Sequence, residues 1–317
     1  MRPYVIMADA TCDLNEDFQK EYDIQVIPGH VIYPDKTERT SFLKWESEEA
    51  RVRFYAELKK NPEGFSTSPA NVAEFAEVFR GQAAQGHDIL VLSISGAMSG
   101  AYNFMRQARE LVLQEYPECR IECVDSRRYG PGFGLMTVQA ALRRKEGKSL
   151  EETVNWLEEN KNRFHQAGWL DDLSFVARKG RLTHAKAFFG TLAGVKPIGE
   201  FDYNGLTTVI AKVKGARKAY EALLSYIEQT GENLEDQVVF IAQSDRLPQA
   251  LEYKKRIEER FHPKAVYVNE VFPLCSINVG PGLMAAYYMG APISENLEKE
   301  KKIFEKLLGG TENEKTE

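Results

Sequence analysis

Asp88-Ile89-Leu90-Val91-Leu92-Ser93-Ile94-Ser95-Gly96-Ala97-Met98-Ser99-Gly100 is a short apolar run that empties into a loop of hydroxyls and glycines. The run Asp88 to Ser93 has the length and composition of a buried strand. Ala101 to Gln114 then reads as a helix. A strand that passes through such a loop into a helix is the repeating unit of parallel sheets, and ligands of those sheets bind outside the carboxyl ends of the strands. Glycines let the backbone approach a bound group, and Ser95 and Ser99 have hydroxyls to donate.

The same unit recurs on either side. Tyr4 to Ala8 reads as a buried strand followed by Asp9-Ala10-Thr11-Cys12-Asp13-Leu14, where Asp13 and Glu16 stand at capping-box spacing and predict a helix. Asp9 is expected to orient this loop by hydrogen bonds. Ile24 to Ile27 and Arg120 to Val124 read as further strands, the latter followed by Asp125-Ser126, and Pro131 to Lys145 as a buried helix. This alternation predicts an α/β fold with a mostly parallel sheet flanked by helices. Lys148 to Phe164 is a charged amphipathic helix at a composition shift. Beyond it, strands at Leu192 to Pro197, Leu206 to Val213, Val238 to Ala242 and Ala265 to Val271 alternate with helices at Arg217 to Gln229 and Pro248 to Phe261. We read residues 1–165 as an N-terminal α/β domain, 166–308 as a second α/β domain and 309–317 as a polar tail.

Composition narrows the function. The chain has 317 residues, 43% hydrophobic and 28% charged, as ordinary soluble globular proteins do. A net charge of -6 argues against nucleic acid, which favours a concentrated basic surface. The apolar start, Tyr4 to Ala8, is too short for a signal peptide, and no segment approaches the roughly 20 apolar residues of a membrane span. A cytoplasmic protein without stable membrane insertion is expected. The cysteines Cys12, Cys119, Cys123 and Cys275 form no CxxC pair, which suits free thiols in a reducing compartment. His30, His87, His165, His184 and His262 show no metal-ligand spacing. No GxxxxGK[ST] is present, and Gly130-Pro131-Gly132-Phe133-Gly134 departs from a dinucleotide fingerprint. Neither a metal, a cofactor nor a catalytic base is expected.

Thr67-Ser68-Pro69 and Gly280-Pro281-Gly282 read, like Ser95 to Gly100, as helix starts, although the run Leu283 to Met289 after the second reads equally as a short apolar strand. Such ends present backbone N–H groups without intrahelical partners at the positive end of the helix dipole, and several meeting at one place make an anion site. Gly180-Arg181 follows Ala177-Arg178-Lys179, with His184 close by; an arginine fork can clamp a carboxylate or phosphate. The chain reads first as something that holds a small anion.

Taken in order, these segments resemble the DegV family of bacterial fatty-acid-binding proteins. The resemblance runs through Asp9 to Leu14, Thr67-Ser68-Pro69, Ser95 to Tyr102, Val124-Asp125-Ser126, Lys179-Gly180-Arg181-Leu182, Val195-Lys196-Pro197-Ile198 and Gly280-Pro281-Gly282. It implies a two-domain α/β fold with a long-chain fatty acid buried between or beneath the domains. It also implies that Thr67 and Ser99 hold the carboxylate, and that a separate fatty acid kinase subunit, not this chain, does the chemistry. The candidate ligand-binding set is Thr67, Ser68, Ser95, Gly96, Ser99, Gly100, Arg181, Asn278 and Gly280, with Lys214 and His184 at the mouth or partner contact. The chain departs from the family pattern in three places: Asn278-Val279 where His-Thr is frequent, Ala101 where a threonine hydroxyl is frequent, and Lys214 where an arginine is expected.

A fatty acid suits such a site energetically. Each buried methylene contributes about 0.8 kcal/mol, so a tail of roughly 14 gives on the order of 11 kcal/mol before ordering costs. The buried carboxylate is expensive unless hydrogen-bonded, and hydroxyls and N–H groups meet that need. Two alternatives stand beside this reading. One is a binder of another amphiphilic carboxylate or lipid. The other is an acyl or phosphoryl transferase using Ser95 or Ser99, which requires an activating base.

Overall fold

The computed structural model describes residues 2–181 and 194–309, so His184, Leu182, the first two residues of the expected strand at 192–197 and the tail beyond 309 lie outside the described residues. The chain divides into two compact units, Met1–Lys161 with Phe272–Ile277, and Asn162–Val271 with Asn278–Glu317. The sequence reading placed one boundary near 165; the return of Phe272–Ile277 to the first unit has no counterpart in it.

Along the first unit run β1 (Tyr4–Asp9), α1 (Glu16–Tyr22), β2 (Ile24–Ile27), β3 (His30–Ile32), β4 (Glu38–Thr40), α2 (Glu48–Lys60), β5 (Ser66–Ser68), α3 (Val72–Ala84), β6 (Asp88–Ser93), α4 (Ala101–Glu115), β7 (Ile121–Asp125), α5 (Gly130–Lys145) and α6 (Leu150–Asn160). The main sheet has the order β2-β1-β6-β7 and every pair is parallel, as the strand–loop–helix alternation predicts. Every residue of β6 is buried, which is why that run shows no polar alternation. Phe75 and Phe79 of α3 and Met105 and Val112 of α4 pack with Met7, Ile89 and Val91 of the sheet. A second, antiparallel sheet has the order β4-β3-β5.

The second unit contains β8 (Phe164–Leu170), α7 (Ser174–Arg178), β9 (Val195–Phe201), β10 (Thr207–Lys214), α8 (Ala216–Thr230), β11 (Val238–Gln243), α9 (Leu247–Phe261), β12 (Ala265–Glu270), β13 (Leu283–Met289) and α11 (Glu298–Gly309); α10 (Pro273–Val279) starts in the segment that returns to the first unit. Its sheet has the order β10-β9-β8-β13-β11-β12 and is antiparallel except for the β11–β12 pair. Glu200 is fully buried in it. Its carboxylate accepts from the Gln166 and Phe201 N–H groups (each 2.7 Å) and the Tyr226 hydroxyl (2.8 Å), and faces His165 Nδ1 at 2.9 Å.

Of the three expected helix starts, one is a helix start. Ser95 to Gly100 leads into α4, with the Ala101 N–H donating to Ser99 Oγ at 3.2 Å. Thr67 and Ser68 instead lie on β5, where Thr67 pairs with Val31 and Ser68 with His30. The helix after them starts at Val72, because Asn71 accepts from the Ala73 and Glu74 N–H groups and Glu74 returns to the Asn71 N–H. Gly280-Pro281-Gly282 leads into β13, whose Leu283–Met289 run is paired on both edges. Asp13 likewise caps no α-helix: Asn15 accepts from the Asp17 and Phe18 N–H groups and starts α1 at Glu16.

Candidate functional site

In the order β2-β1-β6-β7 the chain moves outward from β1 in one direction and from β6 in the other. The strand order therefore reverses between β1 and β6, and the carboxyl ends of those two strands are where open α/β sheets form their ligand crevice. Asp9, the last residue of β1, spans this point. Its Oδ2 accepts the Ile94 N–H at 2.8 Å, and its Oδ1 accepts the Thr11 N–H at 2.9 Å and the Thr11 hydroxyl. Burial pushes its carboxyl above the usual pKa, and the hydrogen bonds from Thr11 and Ile94 offset that only in part. The expectation that Asp9 orients its loop is met, and it also holds the loop across the crevice.

The Ser95 loop is anchored on its other side to the end of β7. The Ser95 N–H donates to Arg128 O at 2.9 Å, and the Gly96 N–H donates to Asp125 Oδ1 at 3.1 Å. A Cβ on Gly96 would stand 2.9 Å from Asp125 Oδ2, so the approach needs glycine. Ser95 O accepts from the Met98 and Ser99 N–H groups, at 2.9 and 3.2 Å, and closes the loop into a turn. Ser95 is buried, Ser99 half-buried, and Gly96 and Gly100 exposed. Arg128 is fully buried beside this loop, donating from Nη1 to Arg127 O at 2.7 Å. The sequence reading passed over Arg128; the only available signal was an arginine pair directly after Asp125-Ser126.

Thr67 and Ser68 share the first unit with that loop. A Cβ on Gly29 would stand 2.7 Å from Ser68 O and 3.2 Å from Leu274 Cδ2, which brings the Phe272–Ile277 segment against β5. The same segment reaches the loop after β1, where the Phe272 N–H donates to Asp13 Oδ1 at 3.0 Å and the Cys275 thiol to Thr11 O at 3.4 Å. Thr67, Ser68, Ser95, Gly96, Ser99 and Gly100 thus sit on elements joined around the loop after β1.

The remaining candidates belong to the second unit. Gly280 has φ +73 and a Cβ there would lie 2.4 Å from the Phe175 ring, so its role in that unit is close packing against α7. Asn278 is half-buried at the end of α10. Arg181 donates from Nη1 to Lys179 O just past α7, and Lys214 is exposed at the end of β10. His184 lies outside the described residues. At the end of β8, Asp171 accepts from Arg246 Nε at 2.8 Å and from the Lys196 ammonium. Burial raises the Asp171 carboxyl pKa, but the hydrogen bonds and charges of Lys196 and Arg246 outweigh it and hold the carboxyl below its usual range. Among the described residues, no group of three or more His, Cys, Asp or Glu side chains is arranged to hold a metal, and no helix is long and apolar enough to cross a membrane.

A hydroxyl-bearing loop at a strand-order reversal in one unit and a mixed six-stranded sheet in the other have parallels among known proteins. The DegV family, described as uncharacterised proteins, matches residues 3–290. A DegV domain-containing protein of Clostridium perfringens is 33% identical over 292 residues, 92% of this chain and 98% of that protein. Among solved structures, one described as "Fatty Acid Binding of a DegV family Protein from Thermus thermophilus" is similar with a TM-score of 0.80 at 25% identity, covering 92% of this chain and 100% of the other. The Streptococcus pneumoniae Fatty Acid Kinase (Fak) B3 protein, loaded with linoleic acid, shares the fold with a TM-score of 0.75 at 17% identity, over 90% of this chain and 99% of that one. The resemblance carried by the motifs from Asp9 to Gly282 therefore holds along the matched length, and the chain belongs to the DegV family.

Proposed function

We propose that this protein binds a long-chain fatty acid, holding its carboxylate with hydroxyl and backbone N–H donors and its tail in apolar surroundings. The observation that carries the reading is the Ser95–Gly100 loop, fastened by Asp9 on one side and by Asp125 and Arg128 on the other, at the carboxyl ends of β1 and β6 where the parallel strand order reverses. A site fixed before the ligand arrives spends little of the binding free energy on ordering. Thr67 and Ser99 are the proposed direct carboxylate ligands, supported by Ser68, Ser95, Gly96 and Gly100. Arg181, Asn278 and Gly280 are proposed to complete the site, with Lys214 and His184 serving its mouth or a partner.

The Thermus thermophilus relative is described as binding fatty acid, and the Streptococcus pneumoniae neighbour is named for a fatty acid kinase. We accordingly assign the chemistry on the carboxylate to a separate kinase subunit and the lipid-holding step to this chain, without a cofactor. Domain boundaries at 165 and 308 and a cytoplasmic setting belong to the same proposal; the four free cysteines suit a reducing compartment.

The test is to denature the protein purified from a bacterial host, extract it with organic solvent and identify what is released by mass spectrometry. One fatty acid per chain is expected, and its length and unsaturation give the preferred ligand. A protein that releases no fatty acid and takes up none when it is offered overturns the reading, and a different amphiphilic carboxylate in the extract replaces it.

A further inference from the structure

Ser276 was not among the residues the sequence singled out. It lies on the Phe272–Ile277 segment that returns to the first unit, and it is fully buried. Its backbone is accounted for, with the N–H donating to Phe272 O at 2.8 Å. Its hydroxyl has no hydrogen-bond partner among the described residues. The other buried serines all have one. Ser41 Oγ accepts the Gly29 N–H, Ser93 donates to Ile94 O, Ser95 Oγ accepts the Ala97 N–H, Ser126 donates to Arg128 O, and Ser244 donates to Gly280 O. A helical hydroxyl also has a ready solution, which is to bond the carbonyl four residues earlier. Thr137 does so to Phe133 O at 3.0 Å and Thr230 to Tyr226 O at 2.7 Å; Ser276 does not use Phe272 O in this way.

A buried hydroxyl without a partner costs stability, so its persistence asks for a group that satisfies it. The neighbours of this segment say what kind of group. Two residues before Ser276, Leu274 stands at the same face of Gly29 as Ser68 O of β5; one residue before it, the Cys275 thiol donates to Thr11 O in the loop after β1. These are the elements that carry the proposed carboxylate ligands. We propose that Ser276 is a further head-group ligand, its hydroxyl donating to a carboxylate oxygen of the bound fatty acid. The inference rests on the fatty-acid reading given above and adds a residue to that site. A hydroxyl can donate or accept, and the carboxylate of the ligand proposed above is an acceptor to which Ser276 would donate.

The test compares wild type with S276A, using oleate and oleyl alcohol as probes and the Tm of the ligand-free protein as a control for folding. Oleate affinity is expected to fall about tenfold, the size of one hydrogen bond to a charged group, and oleyl alcohol affinity by less than about threefold. The ligand-free Tm stays level or rises, because an unmet hydroxyl has been removed. Unchanged oleate affinity with a lowered ligand-free Tm overturns the proposal and makes the hydroxyl structural. Equal losses for both probes also overturn it, since that is the signature of a contact with the tail. If wild type itself takes up neither probe, the fatty-acid reading fails and this assignment with it; if wild type binds oleate and S276A binds it equally well, only the assignment fails.

Discussion

Each unit places an aspartate at the carboxyl end of a strand, and the two are used in opposite ways. Asp9 closes β1 and is met by neutral donors alone, the Ile94 and Thr11 N–H groups and the Thr11 hydroxyl. Asp171 follows β8 and is met by two cations, Lys196 and Arg246. The first arrangement spends a buried carboxylate on holding two loops in place and leaves the hydroxyls of the Ser95 loop at the crevice. The second neutralises its charge where it stands. An edge built to accept a foreign anion needs donors that its own carboxylates have not consumed; by that criterion the first unit's edge, with the Ser95 and Ser99 hydroxyls, is the one we propose for binding.

The comparison breaks most visibly at Asp9. Asp9→Ala leaves three donors buried around an apolar methyl, and is expected to cost roughly 3 to 5 kcal/mol of unfolding free energy. Asp9→Asn retains one acceptor oxygen and is expected to lose about half as much. Urea denaturation measures both. A loss under about 1 kcal/mol for the alanine variant means that the two loops do not depend on this carboxylate, and the contrast with Asp171 disappears.

How far the sequence exposed these arrangements depended on how local their causes are. The parallel sheet was legible because β6 is buried on both faces and shows it as an unbroken apolar run. Asp9 was legible because an aspartate two residues before a threonine closes a local turn. Thr67 and Ser68 were misassigned to a helix start because the Ser-Pro pair outweighed Asn71 and Glu74, although the capping pair stood in the sequence three residues further on. What makes Ser66–Ser68 a strand is β3, which lies more than thirty residues earlier and reaches it only in the folded chain. Arg128 and Ser276 were invisible for a related reason. Arginine and serine are mostly surface residues, and only tertiary contacts bury these two.

Binding sharpens the comparison at an intermediate scale. Thr67→Val and Ser99→Ala each remove one proposed donor to the fatty-acid carboxylate, and each is expected to weaken binding about tenfold. Ser99 also accepts the Ala101 N–H, so its alanine variant carries a small cost at the start of α4. Isothermal titration with oleate, paired with thermal melts, separates the two effects. Intact affinity in both variants moves the head group away from this edge.

The smallest effect is expected at Asp171, and its pH dependence has a sign that distinguishes it from Asp9. Asp171→Ala releases a lysine and an arginine that are each part-exposed and can turn to solvent, so the loss at neutral pH is about 1 kcal/mol or less. The Asp171 carboxyl is held below its ordinary value, so its contribution is present above about pH 4 and is lost as pH falls through the folded-state value. Asp9 is shifted the other way by burial. From about pH 4 up to its raised folded-state value, the folded chain binds more protons at Asp9 than the unfolded chain does, so that contribution weakens the fold as pH rises. Subtracting each variant's stability from that of wild type between pH 3 and pH 7 should therefore give slopes of opposite sign, rising with pH for Asp171→Asn and falling for Asp9→Asn. Parallel slopes mean that the two edges handle charge alike, and the reason for choosing the first as the binding edge is lost.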